Sequence, residues 1–296
     1  MTVPLAILLT VSLKHTSLLQ KFKHQTLWIF LSILGDGLYP NSLQRPHSSP
    51  YKHPRMFPPE PRPRIACFHG GGSKAEIYRI QCSRLASLLE NDFELVFFEG
   101  PYTRDAGPGV LPAFRGYEPY KSWVTNDSDG KELVDGSGYD DVGRDGIERV
   151  LKLMVQNDRE QDEPVGPWVG AMGFSQGTRV VGGLLLDQQR RAASGWDANE
   201  GIQLKFGVCC MGAGTPLESE VSKHFNFEDN IVSLPTLHVH GLKDWVLPLS
   251  RLQYAKYYDS KTKKLYEVDY HHAMPWNTHE VEKLADLIRQ IYKENA

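Results

Sequence analysis

The segment Gly173–Gly177 (GFSQG) constrains the fold of this 296-residue chain more than any other feature. The apolar stretch 167–172 before it is typical of a buried strand, and the stretch 178–186 after it is typical of a helix packed on a sheet. Strand, G-x-S-x-G and helix in this order indicate a nucleophile elbow, a tight turn that raises Ser175 above the end of a parallel sheet. Glycines are needed there because a Cβ would collide with the neighbouring strand or helix. Without these flanks the pentapeptide is a weak signal, and a buried turn would be the better interpretation.

Two further segments carry an acid and a base in the order that such an elbow requires. Residues 235–248 form a β-rich run that ends near Gly241 and is followed by Asp244, and residues 265–275 form another with His271 and His272 near its end. Ser, then Asp, then His, each just past a strand, is the chain order of an α/β-hydrolase triad. The chemistry needs the set, because an imidazole must take the serine proton and a carboxylate must fix the imidazole tautomer.

Each of these roles has a rival residue. Asp269 is a second candidate acid, but it lies inside the predicted β-run, two residues before His271, where it is poorly placed to reach an imidazole on the following loop. We therefore predict Asp244 as the acid. Adjacent residues of an extended segment point to opposite sides, so His271 and His272 cannot both face the serine.

A glycine-rich segment supplies a fourth part. The β-run that starts at Arg64 ends in His69-Gly70-Gly71-Gly72, the kind of loop whose backbone N–H helps to form an oxyanion hole. We predict the backbone N–H groups of Gly71 and Gln176 as its two donors. Taken alone, the glycine run would be explained equally well as a flexible turn.

These segments together resemble one known family, the fungal serine hydrolases. The resemblance rests on residues 69–78, 173–177, 240–248 and 272–275, and on the aromatic stretch 114–123, and it covers roughly residues 64–293. The family contains small intracellular α/β-hydrolases, including esterases and thioesterases encoded in fungal polyketide gene clusters. The resemblance implies hydrolysis of an acyl ester or thioester, with a substrate that an acyl carrier protein of a polyketide synthase can present.

The resemblance also selects the base. Only His272 stands in the family's His-x-x-Pro arrangement, with Pro275 behind it, so His272 is predicted to be the general base. The chain departs from the family at the preceding position, where a glycine often stands and this chain has His271. A general carboxylesterase of small esters remains an alternative, as does a non-hydrolytic binding protein or a lyase on the same fold. A binding protein would usually have lost a triad residue, and none is missing here.

Composition excludes several other functions. The formal net charge of −3 and the absence of a basic cluster argue against a nucleic-acid partner. The spacing of the 11 histidines contains no H-x-x-x-H or H-E-x-x-H, so we predict no metal and no cofactor. His238 and His240 point to one face of a strand, where core histidines are a better interpretation than ligands. The four cysteines show no C-x-x-C or disulfide-framework spacing, which predicts a reducing, cytoplasmic location.

The alternation of β-runs and helical runs predicts the fold class: α/β, a minimal α/β-hydrolase fold with a doubly wound, mostly parallel sheet and a lid-like insert. The predicted strands are 64–69, 94–99, 167–173, 204–210, 235–240 and 265–270. The predicted helices are 75–90, 141–157, 176–193, 247–259 and 279–294.

The insert covers about residues 100–138 and is long for a connection between a strand and a helix. Its prolines and aromatic residues predict a lid or pocket wall, although a surface loop whose aromatics pack on the core would look the same. The candidate pocket residues are Tyr117, Trp123, Trp245 and Met274. Their aromatic and apolar character favours an acyl substrate over a charged one.

Residues 1–60 leave three interpretations open: a poorly ordered extension, a segment that associates with a membrane through residues 1–34, or extra strands of the sheet. The apolar runs Val3–Leu13 and Leu27–Leu34 are each shorter than the roughly 20 residues that span a bilayer. We favour the extension, so the domains are predicted as an N-terminal segment 1–60 and a catalytic domain 61–296.

Overall fold

The structure, a computed structural model, describes residues 60–124, 146–195, 201–221 and 230–296. The N-terminal segment, apart from residue 60, lies outside the described residues, as does the part of the predicted insert from residue 125 onward. The chain divides into two compact units, and the described residues of the larger one lie within 60–106 and 119–296. That unit contains every helix and strand named below.

The named elements alternate between strands and helices. In chain order they are β1 (Arg64–Phe68), α1 (Ala75–Gln81), α2 (Ser83–Leu89), β2 (Glu94–Phe98), β3 (Tyr102–Arg104), β4 (Tyr120–Ser122), α3 (Gly146–Arg159), β5 (Trp168–Phe174), α4 (Gly177–Ser194), β6 (Phe206–Cys210), β7 (Thr236–Gly241), α5 (Leu247–Tyr257), β8 (Lys263–Val268) and α6 (Thr278–Asn295).

Six of the strands form one sheet in the order β2-β1-β5-β6-β7-β8, and every neighbouring pair is parallel. From β1 the chain first moves to β2 on one side, and it later returns on the other side of β1 with β5. The strand order therefore reverses between β1 and β5. In open parallel sheets, ligands bind outside the carboxyl ends of the strands at such a point.

The sheet is covered on both faces, as the predicted fold class requires. Ile65 and Cys67 of β1 pack into one buried apolar cluster, and Ala66 and Phe68 pack into the other. This alternation follows from the two-residue period of a strand. Helix α6 contributes its apolar side to the first cluster, and α3 and α4 contribute theirs to the second. The fold is thus the predicted α/β arrangement.

Several predicted elements differ from the observed ones at their ends, and residues 141–145 of one predicted helix lie outside the described residues. Two differences matter for the packing and the site. The helix predicted over 75–90 is two helices, because the backbone at Cys82 leaves helical geometry (φ −94°, ψ 5°) and Cys82 caps both. The last strand, predicted over 265–270, begins at Lys263 and ends at Val268. Asp269 therefore follows the strand and does not lie inside it.

The predicted insert is partly ordered into a hairpin. Strands β3 and β4 pair antiparallel, with Thr103 opposite Lys121. Of the residues between these strands, 107–118 belong to the smaller unit, in which the Phe114 and Tyr117 rings meet edge-on at 5.6 Å. The assignment of the insert as a lid stays a prediction. Within the described ranges, no helix has the length and apolar character needed to cross a membrane.

Candidate active site

Ser175 occupies the tight turn between β5 and α4. Its φ of 51° lies in the left-handed region, which a residue with a side chain rarely adopts. Its backbone N–H donates a 2.9 Å hydrogen bond to the carbonyl of Cys210, which anchors the turn to β6. The flanking glycines have no room for a side chain, because a Cβ on Gly173 would lie 2.3 Å from the Gly177 carbonyl oxygen and one on Gly177 would lie 2.1 Å from that of Phe68.

Two hydrogen bonds link this serine to an imidazole and a carboxylate. His272 Nε2 lies 2.9 Å from Ser175 Oγ, and His272 Nδ1 lies 2.7 Å from Asp244 Oδ2. Because a carboxylate accepts hydrogen bonds, Nδ1 carries the proton and donates it, which leaves Nε2 as the acceptor for the serine hydroxyl. The Phe174 ring, at 5.0 Å between centroids, packs on the imidazole and helps to hold its orientation.

Asp244 is held in place by its own loop, just past the end of β7. Its side chain is 1% exposed. The second carboxylate oxygen, Oδ1, accepts a 2.9 Å hydrogen bond from the Val246 backbone N–H. One oxygen is thus bound to the backbone and the other to the imidazole, so the carboxylate can rotate little.

The rival residues point elsewhere. Asp269 forms an ion pair with Lys243 at 2.6 Å, and both side chains are more than half exposed. His271 is exposed, and its Nδ1 lies 3.0 Å from the backbone carbonyl of Lys243. The structure therefore brings Asp244 and His272, and neither rival, to Ser175.

The glycine-rich loop after β1 lies directly against the nucleophile turn. A Cβ on Gly70 would be 3.3 Å from the Cβ of Ser175, and one on Gly71 would be 3.0 Å from Gln176 Nε2 and 3.2 Å from Arg104 Nη1. The loop is tied to β4, since Gly72 N–H donates to the Lys121 carbonyl at 2.8 Å and Lys121 N–H donates to the Ser73 carbonyl at 2.6 Å. The two predicted oxyanion donors, on Gly71 and Gln176, thus belong to neighbouring residues in space.

The side chain of Gln176 makes hydrogen bonds that were not predicted from the sequence. Its Oε1 accepts a 2.8 Å hydrogen bond from the Trp123 backbone N–H and lies 3.1 Å from Ser122 Oγ. The carboxamide therefore joins the nucleophile turn to the end of β4 and lies against Gly71. The one sequence signal for this contact is the residue type: a glutamine directly follows the serine, at a position where the helix could have used an apolar residue.

His69, which is buried, stabilises the glycine-rich loop through hydrogen bonds of both its ring nitrogens. Its Nε2 accepts a 2.9 Å hydrogen bond from the Gly100 N–H, so Nδ1 carries the proton and donates to the Gly70 carbonyl at 2.8 Å. The Trp123 indole N–H donates a 2.9 Å hydrogen bond to the His69 carbonyl.

The four candidate pocket residues have different surroundings. Trp123 is fully buried beneath the glycine-rich loop, and Met274 is buried in the apolar cluster that contains α6, so both support the site from inside instead of presenting an open surface. Trp245 is 61% exposed, and its ring lies 5.8 Å from that of His272. Tyr117 lies in the smaller unit, and its assignment to the pocket stays a prediction.

His238, His240 and the four cysteines lie in the core. His238 packs between the rings of Tyr254 and Tyr258, and burial lowers the pKa of His238 well below its ordinary value, so the ring is neutral. In the described parts of the chain, no three His, Cys, Asp or Glu side chains are arranged to hold a metal ion. All four cysteines are buried free thiols.

A six-stranded parallel sheet with helices on both faces, and a serine on the turn after its central strand, define the class of protein: an α/β-hydrolase. A family model described as serine hydrolase (FSH1) matches residues 60–284. The chain belongs to this serine hydrolase family.

Two curated relatives and one solved structure agree with this class. The chain is 34% identical over 232 residues to "Esterase FUS5" of Gibberella fujikuroi, which covers 78% of this chain and 88% of that protein. It is 31% identical to "Probable esterase azaC" of Aspergillus niger, over 72% of this chain and 79% of that protein. The crystal structure of Zea mays acyl-protein thioesterase 2 superposes with a TM-score of 0.50 over 78% of this chain and 94% of the other, at 13% identity, which shows a shared fold.

Proposed function

We propose that this serine hydrolase cleaves an acyl ester or thioester through Ser175, His272 and Asp244. The observation that carries the proposal is the continuous chain of two hydrogen bonds, 2.9 Å from Ser175 Oγ to His272 Nε2 and 2.7 Å from His272 Nδ1 to Asp244. As Ser175 Oγ attacks the substrate carbonyl carbon, Nε2 takes the hydroxyl proton. The same proton then goes to the leaving oxygen or sulfur as its bond to the acyl carbon breaks. Asp244 stabilises the imidazolium in between.

Water completes the reaction. It enters after the leaving group departs, gives a proton to Nε2 and attacks the acyl-enzyme, and the acid is released as Ser175 regains its proton. In both halves the carbonyl oxygen becomes negative, and the backbone N–H groups of Gly71 and Gln176 are proposed to stabilise it. The contact between these two residues supports this assignment.

The proposed substrate is an acyl group held as an ester or as a carrier-protein thioester. The resemblance to hydrolases of fungal polyketide clusters suggests release or trimming of a polyketide-type product in the cytoplasm, where the free thiols would stay reduced. A thiolate leaving group needs less protonation than an alkoxide, so the same triad serves both bonds. The alternative is a general carboxylesterase that cleaves small acyl esters and has no connection with polyketides.

The proposal is tested by labelling with a fluorophosphonate probe, comparing the native protein with Ser175→Ala. We expect covalent labelling of the native protein and none of the variant, with unchanged thermal unfolding. Equal labelling of both would overturn the assignment of the nucleophile, and no labelling of either would favour a binding protein. Rates on matched esters and thioesters of the same acyl groups then separate the two substrate classes. Cleavage of acetyl esters alone, with no longer acyl thioester turned over, would exclude the polyketide version.

A further inference from the structure

Helix α5 buries two polar side chains and leaves two leucines exposed. A helix on the surface of a globular domain normally turns its apolar side chains inward. Here the buried side chains include Ser250 and Gln253, whereas Leu249 and Leu252 are 50% and 56% exposed. The buried polar groups are hydrogen-bonded, since Gln253 Nε2 donates to the Gly214 carbonyl at 2.9 Å. The inward face is therefore stable as it is, and the leucines are placed where core packing does not require them.

The exposed leucines continue a stripe that starts at Trp245. Leu249 and Leu252 are three apart and share one side of α5, and Trp245 lies in the turn two residues before the helix begins. We call these three residues the outer stripe. Large exposed apolar side chains grouped on one part of a surface are typical of binding sites, whereas single exposed leucines are ordinary.

One end of the outer stripe reaches the catalytic base. The Trp245 ring lies 5.8 Å from the His272 ring. During ester cleavage, the atom that departs must lie within hydrogen-bond reach of His272 Nε2, because this nitrogen returns the proton to it. Trp245 is therefore an exposed apolar side chain within reach of a substituent on that atom.

From these observations we infer that the outer stripe, Trp245, Leu249 and Leu252, binds an apolar leaving group, the alkyl or aryl portion of the alcohol or thiol that is released. This inference rests on the proposed function and narrows it, because an apolar leaving-group site favours esters or thioesters of apolar alcohols or thiols over the polar pantetheine arm of a carrier protein. The charges beside the stripe fit an uncharged group: Lys243 pairs with Asp269 at 2.6 Å, and Arg251 pairs with Glu267 at 3.0 Å.

Two ester series test the inference. In the first, a butyryl group is kept and the alcohol is lengthened from ethyl to octyl. In the second, ethyl esters are lengthened in the acyl chain from acetyl to octanoyl. For the native protein we expect kcat/KM to rise by about twofold for each methylene added to the alcohol, the gain for a half-buried chain. The double variant Leu249→Ser/Leu252→Ser should flatten this rise and leave the dependence on acyl length as it is.

Leu265→Ser is the control, because Leu265 is also an exposed leucine (43%, against 50% and 56% for Leu249 and Leu252), lies on β8 and is outside the stripe. It should behave as the native protein in both series. Variants of the stripe that alter the acyl series instead, or neither series, would overturn the inference. The inference would also be overturned if sedimentation showed that the native protein is a dimer, and the only effect of the double variant were to make it a monomer.

The outcome separates this inference from the function on which it rests. Native protein that cleaves all alcohols of the series equally well is a hydrolase without a leaving-group site on α5. Native protein that cleaves no ester and takes no fluorophosphonate label removes both proposals.

Discussion

The backbone N–H of Trp123 donates a 2.8 Å hydrogen bond to the side-chain Oε1 of Gln176, the residue that follows the nucleophile. Through this bond, the end of β4 is attached to the nucleophile turn. Since β4 also holds the glycine-rich loop through Lys121, both halves of the proposed oxyanion hole depend on the same short strand. Gln176 is thus a positioning residue for the hole as well as one of its backbone donors.

Replacement of Gln176 by methionine is expected to lower kcat by tenfold or more and to change KM little. The variant keeps the backbone N–H and the side-chain length, but it leaves the buried Trp123 N–H without its acceptor, which costs about 1–3 kcal/mol. The altered hole then stabilises the negatively charged transition state less than the native hole does, whereas binding of the uncharged substrate carbonyl changes little. Steady-state kinetics and thermal unfolding measure the two effects.

Gln188→Met is the matched control for this substitution. Gln188 Oε1 accepts a 2.8 Å hydrogen bond from the Leu204 N–H, so the variant loses a bond of the same kind outside the active site. It should lose stability and keep kcat. Equal kcat losses in both variants would show that the effect of Gln176 is general destabilisation.

The sheet and the proximity of Ser175, Asp244 and His272 could be predicted from the sequence, because both depend on local patterns. Apolar β-runs separated by helical runs define a parallel sheet, and the carboxyl ends of parallel strands lie at one edge. Ser175, Asp244 and His272 each follow a strand, so their proximity required only the correct strand boundaries.

Contacts that depend on tertiary packing were not predictable in this way. As an aromatic residue of the insert, Trp123 was predicted to line the pocket, but it is buried beneath the glycine-rich loop, where its indole N–H donates to the His69 carbonyl. The leucines of the outer stripe would ordinarily be assigned to the core. The inward side of α5 is instead occupied in part by Gln253, which is hydrogen-bonded to the Gly214 carbonyl, and the leucines lie outside. Side-chain direction at such positions follows from neighbours that are distant in sequence.

Asp244→Asn should lower kcat by about four orders of magnitude, the size of effect seen when a triad carboxylate becomes an amide and the imidazole tautomer is reversed. Asp269→Asn should stay within about twofold of the native rate, because Asp269 forms an exposed ion pair, which contributes little. Kinetics with one ester substrate suffice. The acid is misassigned if the two variants exchange these outcomes.

His272→Ala should be inactive, whereas His271→Ala should keep most of the native activity. The reason is that only the His272 ring contacts Ser175 Oγ, at 2.9 Å, and the His271 ring faces the Lys243 carbonyl. Fluorophosphonate labelling provides a second measurement, since the serine is activated only by the correct imidazole. An active His272→Ala variant beside an inactive His271→Ala variant would contradict the assignment.

Glu148 lies on α3. We expect this residue to make the stability of the fold depend on pH. Burial raises the pKa of Glu148 from 4.5 to about 7, even though its Oε1 accepts hydrogen bonds from Arg191 Nη2 at 2.9 Å and the Glu220 N–H at 2.7 Å. Because the folded pKa is the higher one, the protonated carboxyl favours folding. Its contribution is complete below the unfolded pKa of 4.5 and is lost as the pH rises through about 7.

Glu148→Gln imitates the protonated carboxyl at every pH and should remove this dependence. The free energy of unfolding of the native protein should fall relative to that of the variant between about pH 5 and about pH 8, and the difference should be constant above that range. Denaturant unfolding at several pH values measures both. If the native protein instead gained stability over the variant as the pH rose, the ion pair with Arg191 would outweigh burial, and folding would lower the pKa of Glu148 instead of raising it.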